Sequence, residues 1–192
     1  MTVYNPDVND AQFGTPVAAG DLNGDGLDDL VISAMAGDGP ANAGEVSVYF
    51  SSGRIEGRVD LAENRADVMT IYGEGARDIF GIKTHVDDVI GVPGDEGPLD
   101  RFFSGGIAII AGGPDLPAEI DLRAPQVPVV WVQAPDPLDF AAYGSASGDL
   151  DGDGRIDAIP NGMAGDGPAN RRDNTGEAHV VSGLALAQYL PG

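Results

Sequence analysis

Hydrophobic positions along the chain fall in short runs, either alternating with polar residues or apolar throughout, and clusters of Gly, Pro, Asn and Asp separate them. Glu45-Val-Ser-Val-Tyr-Phe50 alternates, as a strand with one buried face should. The runs predict strands at Phe13–Ala19, Asp29–Ala34, Gly44–Phe50 and Val68–Tyr72. A second series falls at Ile79–Thr84, Asp88–Val92, Gly106–Ala111 and Val129–Val132, and a third at Tyr143–Gly148, Ile156–Pro160 and Glu177–Ser182. Gly 29 and Pro 14 make about 22% of the chain, and the acidic residues are mostly Asp, which favours turns and disfavours helices, so the expected class is all-β.

The series repeat. Met35–Asn42, MAGDGPAN, recurs unchanged at Met163–Asn170, a spacing of 128 residues. Asp21-Leu-Asn-Gly-Asp-Gly26 and Asp149-Leu-Asp-Gly-Asp-Gly154 stand at the same spacing. Aromatic-glycine pairs precede them, Phe13-Gly14 and Tyr143-Gly144, and Phe80-Gly81 marks a middle unit that lacks the Asp-rich loop. Each unit reads as four strands, A to D. The third lacks its D strand, while Met1-Thr-Val-Tyr4 parallels the D strand Met69-Thr-Ile-Tyr72. The order is then D, ABC, D, ABC, D, ABC, the pattern of β-propeller blades of four antiparallel strands. The blades span about 13–72, 79–133 and 143–183, the last completed by strand 1–4.

The aromatic-Gly pair, the Asp-x-Asn-x-Asp-Gly-x-x-Asp loop and the small-residue run after it resemble FG-GAP repeats, the propeller blades of integrin α-chains and of many bacterial surface proteins. The resemblance covers essentially the whole chain and implies calcium-stabilised blades. Three blades fall below the roughly 4–8 of a closed propeller. The expectation is therefore a homodimer forming a six-bladed ring, with Met1–Tyr4 of each subunit adding as strand D to Glu177–Ser182 of the other.

The acidic loops carry the chemistry. Asp21, Asn23 and Asp25 stand at loop positions 1, 3 and 5, Gly26 at 6, Leu27 at 7 and Asp29 at 9. Asp149, Asp151, Asp153, Gly154, Arg155 and Asp157 hold the same places in the third unit. Alternate side chains converge on one centre, the glycine permits a sharp turn, and position 7 offers a backbone carbonyl through Leu27 or Arg155. An all-oxygen set selects Ca²⁺ over transition metals, which predicts two sites per chain. Asp-Gly and Asn-Gly also serve ordinary turns. Carboxylates this dense repel one another unless neutralised, and the pattern occurs twice.

Composition narrows the function. With 31 acidic against 10 basic residues and a net charge of −21, the chain would repel nucleic acid and anionic membranes. It has no cysteine, which removes disulfides and thiolate chemistry, and no apolar run long enough to span a bilayer. The sequence opens without a signal-peptide pattern, and the family resemblance implies an extracellular or cell-surface setting. His85 and His179 fall in or beside strands of different units, Trp131 reads as packing on strand D, and Phe102-Phe103 lies in a long loop. The twin MAGDGPAN loops and Arg171-Arg172 are places where a ligand could dock, though packing and solvation account for them as well. With no nucleophile, base or cofactor cradle evident, the expected function is non-enzymatic adhesion or recognition of a protein or glycan. The alternatives are a propeller-type polysaccharide lyase or hydrolase, and a segment of a larger surface protein.

Overall fold

A computed structural model describes residues 1–5, 12–35, 43–54, 56–63, 65–75, 80–81, 83–85, 89–92, 105–167 and 169–190, with backbone alone at 83–85 and 89–92. Three antiparallel sheets follow one another along the chain, beside a two-stranded parallel sheet described below. The first is built from β2 (Phe13–Gly20), β3 (Asp29–Ala34), β4 (Glu45–Tyr49) and β6 (Val68–Tyr72), antiparallel in that order. The second contains β7 (Lys83–His85), β8 (Val89–Val92), β9 (Gly106–Ile110) and β11 (Val129–Gln133), again antiparallel. The third has β12 (Ala141–Gly148), β13 (Asp157–Gly162) and β14 (Glu177–Ala178), after which the chain enters a short helix, α1 (Gly183–Leu186). None of the sheets closes on itself among the described residues. The first strands adjoin in chain order: β2 lies against β7, and β7 and β8 lie against β12.

The third strands of the first two sheets, β4 and β9, are the most deeply buried, because both of their faces pack. On β9, Ile107 and Ile109 turn toward the third sheet and join Ala142, Ala158 and Leu186. Ala108 and Ile110 turn the other way and meet Val31, Val46, Val48, Met69 and Ile71 of the first sheet. A two-sided strand of this kind must be apolar throughout, and each buried Ile contributes about 1.5–3 kcal/mol. Phe80 closes the gap between the first two sheets and is fully buried. Gly81 follows it at φ +84, where a Cβ would come within 2.8 Å of Val46 Cγ2. The aromatic fills the gap between sheets and the glycine passes over a core side chain, so the pair acts as a unit.

That register corrects one sequence expectation. Phe13 pairs with Ala34 and Ala141 with Gly162, so the structural counterpart of Phe13-Gly14 in the third unit is Ala141-Ala142, two residues before Tyr143-Gly144. Ala142 takes the left-handed φ of +62 that Gly14 takes at +88. Tyr143 is exposed. The strands of the first unit fall within a residue of their expected limits.

Two short strands were not expected. β10 (Glu119–Asp121) runs parallel to β6, and β5 (Arg58–Asp60) runs parallel to β1 (Thr2–Tyr4). The two pairs are copies of each other. Thr2 N–H donates to Gly57 O and Leu61 N–H to Tyr4 O, just as Thr70 N–H donates to Ala118 O and Leu122 N–H to Tyr72 O. Each of β5 and β10 therefore leaves the loop between the third and fourth strands of its own unit; β10 straps β6, the fourth strand of the first sheet, and β5 straps β1. The strand at Met1–Tyr4 pairs with β5 of its own chain and does not pair with β14 among the described residues. Phe102-Phe103 and all but Met35 of the first MAGDGPAN copy lie outside the described residues.

Candidate metal centre

Each acidic loop joins the first strand of its sheet to the second, and its own side chains fix its shape. In the first loop, Asp21 Oδ1 accepts from the N–H groups of Gly24 and Asp25, and Oδ2 from that of Gly26, at 2.8–3.1 Å. Asn23 Oδ1 accepts from Asp25 N–H and Asp25 Oδ1 from Leu27 N–H, both at 2.9 Å. The third unit repeats this bond for bond: Asp149 accepts from Gly152, Asp153 and Gly154, Asp151 from Asp153, and Asp153 from Arg155. Successive Asx turns wind the backbone of each loop about one point. Gly26 and Gly154 sit at φ +87 and +84, which the winding requires.

The carboxylates of Asp149, Asp151 and Asp153 offer oxygens that all lie within 4.8 Å of one another, and all three residues are exposed. This cluster can hold a metal ion, and a donor set made only of hard oxygens fits Ca²⁺ or Mg²⁺. Asp21, Asn23 and Asp25 form the same arrangement, with an amide at position 3. There Asn23 Nδ2 donates to Asp25 Oδ2 at 3.1 Å.

Position 9 does something the spacing did not disclose. Asp29 and Asp157 are buried, while the rest of each loop is exposed apart from the half-buried Leu22 and Asn23. Asp29 Oδ2 accepts from Leu22 N–H at 3.1 Å and Oδ1 from Ser51 N–H at 2.9 Å. Asp157 Oδ2 accepts from Leu150 N–H at 2.9 Å and Oδ1 from Gly183 N–H at 2.8 Å. Each carboxylate thus ties the start of its loop to the chain leaving the third strand. The Gly183 and Leu150 N–H groups hold the Asp157 carboxyl below the usual carboxylate range. Leu27 and Arg155, expected to offer carbonyls, are placed at position 7 by the N–H bonds they give to Asp25 and Asp153.

The two loops flank one cleft of about 560 Å³. Ile109 and Leu186 line it, residues 111–114 of the second unit form its border, and Gly113 N–H donates to Leu22 O at 2.8 Å. The loops therefore belong to one end of the sheets.

The other expected features are less concentrated. His179 Nε2 stands 3.1 Å from Glu177 Oε2 on the third sheet, His85 is on β7 of the second, and Trp131 packs against the first core cluster. Around the second MAGDGPAN copy, burial raises the carboxyl of Asp139 above its ordinary value, and the charges of Asp136, Glu177 and Asp166 raise it further. A single backbone N–H, that of Asp136, opposes them. Asp139 is buried, so its ionised form is a cost to the fold at neutral pH. Asp139→Asn keeps an acceptor for that N–H and removes the charge. We expect it to raise the unfolding free energy at neutral pH. The gain should shrink as pH falls through the raised folded-state value and vanish below about pH 4, where the carboxyl is protonated folded and unfolded alike. Urea titrations of both proteins across that range measure it, and a destabilised variant at pH 7 would refute the assignment.

No curated protein matches the chain at a significant level. The family comparison agrees with the loop and strand geometry of the first unit: residues 13–49, from β2 through the acidic loop to β4, match the FG-GAP repeat.

Proposed function

We propose that the chain is a calcium-stabilised β-propeller module that recognises a protein or glycan outside the cell. The observation that carries the calcium reading is the pair of loops with the same hydrogen-bond pattern, one of which gathers three carboxylates with oxygens within 4.8 Å of one another. Exposed loop sites of this kind bind weakly, with dissociation constants of about 10⁻⁴–10⁻³ M in extracellular modules, which suits a calcium-rich setting. The FG-GAP match over residues 13–49 and the three successive antiparallel sheets, of which the first two contain four antiparallel strands in chain order, support the propeller reading. The ion's part is structural: it would neutralise carboxylates that otherwise repel and fix the crossing between the first two strands of a blade. Recognition would fall to the loops joining strands, where blades of one scaffold differ most.

Free Ca²⁺ at about tenfold above its dissociation constant adds about 1.4 kcal/mol per site. Two sites then raise Tm by about 6–12 °C in a chain of this size. The double variant Asp25→Ala, Asp153→Ala removes the position-5 ligands and should abolish that rise in a calorimetric scan. An unchanged rise in the variant would defeat the metal assignment. A glycan array and a polysaccharide-degradation screen, each with and without chelator, separate recognition from lyase or hydrolase chemistry.

A further inference from the structure

The two straps show what β1 is. Thr2, Val3 and Tyr4 stand opposite Arg58, Val59 and Asp60, as Thr70, Ile71 and Tyr72 stand opposite Glu119, Ile120 and Asp121. β6 is the fourth strand of the unit preceding its strap. By the same geometry β1 is the fourth strand of a unit, and the first three strands of that unit are not beside it among the described residues.

The packing repeats the register. Between the first two sheets, Ile71, Phe80, Ile110, Ile120 and Leu122 belong to one core. Their counterparts on the opposite face of the first sheet are Val3, Phe13, Tyr49, Val59 and Leu61, and these also cluster together. That second cluster is half of an inter-blade core. The half it lacks corresponds to Val46 and Val48 of β4, which are 0% and 2% exposed. The third sheet carries this half. Pairing of Glu45 with Ala34 and of Glu177 with Gly162 makes Ala178 the counterpart of Val46 and Val180 that of Val48. Val180 is 59% exposed and Ala178 is exposed too. β14 is the outermost strand of its sheet, and the residues after it form α1 rather than a fourth strand.

We infer that the open edge of β1 takes β14 of a second copy of this chain, so that two copies close two equivalent seams. Each seam would complete the third blade of one copy with the first strand of the other. It would cover Val180 with the cluster of Val3, Tyr49 and Val59. The register follows from the first sheet, where Glu45 opposes Tyr72, Val46 opposes Ile71 and Ser47 opposes Thr70. Across the seam, Glu177 therefore opposes Tyr4, Ala178 opposes Val3 and His179 opposes Thr2. The edge groups agree. Thr2 and Tyr4 spend their backbone bonds on β5, and His179 and Val181 spend theirs on β13, which leaves Val3, Ala178 and Val180 to pair outward. The inference rests on the blade reading but not on calcium, so losing the calcium shift in the loop variants would leave it standing.

Light scattering coupled to gel filtration of the unmodified chain should give twice 19.7 kDa. The chain has no cysteine, so an introduced pair reports alone. In the first sheet Gly73 N–H donates to Gly44 O, which makes Ser47 and Thr70 a non-hydrogen-bonded pair, the closer kind, within disulfide reach. The double variant Thr2→Cys, His179→Cys should form a disulfide between chains on mild oxidation, as should a mixture of the two single variants. Neither single variant alone should do so. A monodisperse monomer, as expected if the strands completing β1 lay elsewhere in a longer chain, overturns the inference. So does an open ladder of higher masses, or a dimer whose cysteines do not link.

Discussion

Phe80→Ala should lower the unfolding free energy by about 3–5 kcal/mol, against a total of about 5–15 kcal/mol for a typical folded domain. Phe80 has no exposed surface, and its core draws on both the first and second sheets. The surroundings cannot collapse into the space it leaves. Backbone already approaches it closely: a Cβ on Gly73 would lie 2.7 Å from Phe80 Cβ, and one on Gly44 would lie 2.8 Å from Phe80 O. The cavity term is then added to the transfer term nearly in full. Urea unfolding followed by tryptophan fluorescence is well placed, since Trp131 packs on the same cluster. A loss below about 1 kcal/mol would mean that the first two sheets are not packed as described. Phe13 gives an internal comparison. It holds the matching place on the open face of the first sheet, where it is only partly buried. Truncating it should cost clearly less in a monomer, and nearly as much as Phe80 where a second copy covers that face.

The sequence disclosed most of the frame because the same physical problem is solved three times. A strand between two packed faces must be apolar on both sides, and Gly106–Ile110 reads that way without help. The unbroken spacing of 128 located both acidic loops. The straps escaped because Arg58–Asp60 and Glu119–Asp121 are three residues long, too short for any period to show. Their signal was a repeat: Val59-Asp60-Leu61 and Ile120-Asp121-Leu122 stand 61 residues apart. In each, the apolar residues enter an inter-sheet cluster, and the Asp side chain accepts from the N–H two residues on. Tyr143-Gly144 misled for the opposite reason. The aromatic-glycine pair stands two residues away from the 128-residue spacing of the loops and second strands, and that spacing points to Ala141. Small residues there are enough because Ile107 and Ile109 already fill the space facing Ala142.

Position 9 of the acidic loops shows where spacing stops being informative. Spacing says that a carboxylate recurs, and burial says which way it looks. Asp29 and Asp157 open the second strands of their sheets facing inward, and each accepts two backbone N–H bonds. Asp29→Ala should therefore destabilise the fold with no metal present. It strands the Leu22 and Ser51 N–H groups in partly buried positions, at about 1–3 kcal/mol for each donor left unsatisfied. The loss should be as large in chelator as in calcium. Asp25→Ala, on the exposed part of the same loop, should cost little in chelator and show its effect only when calcium is added. Asp29→Asn should fall between, since it keeps one acceptor oxygen but turns an amide NH₂ toward the second donor. Urea midpoints of the three variants in chelator and in calcium separate the two roles. If Asp29→Ala leaves the chelator midpoint unchanged and removes only the calcium shift, Asp29 is a metal ligand, and the tie from Leu22 to Ser51 contributes nothing to the fold.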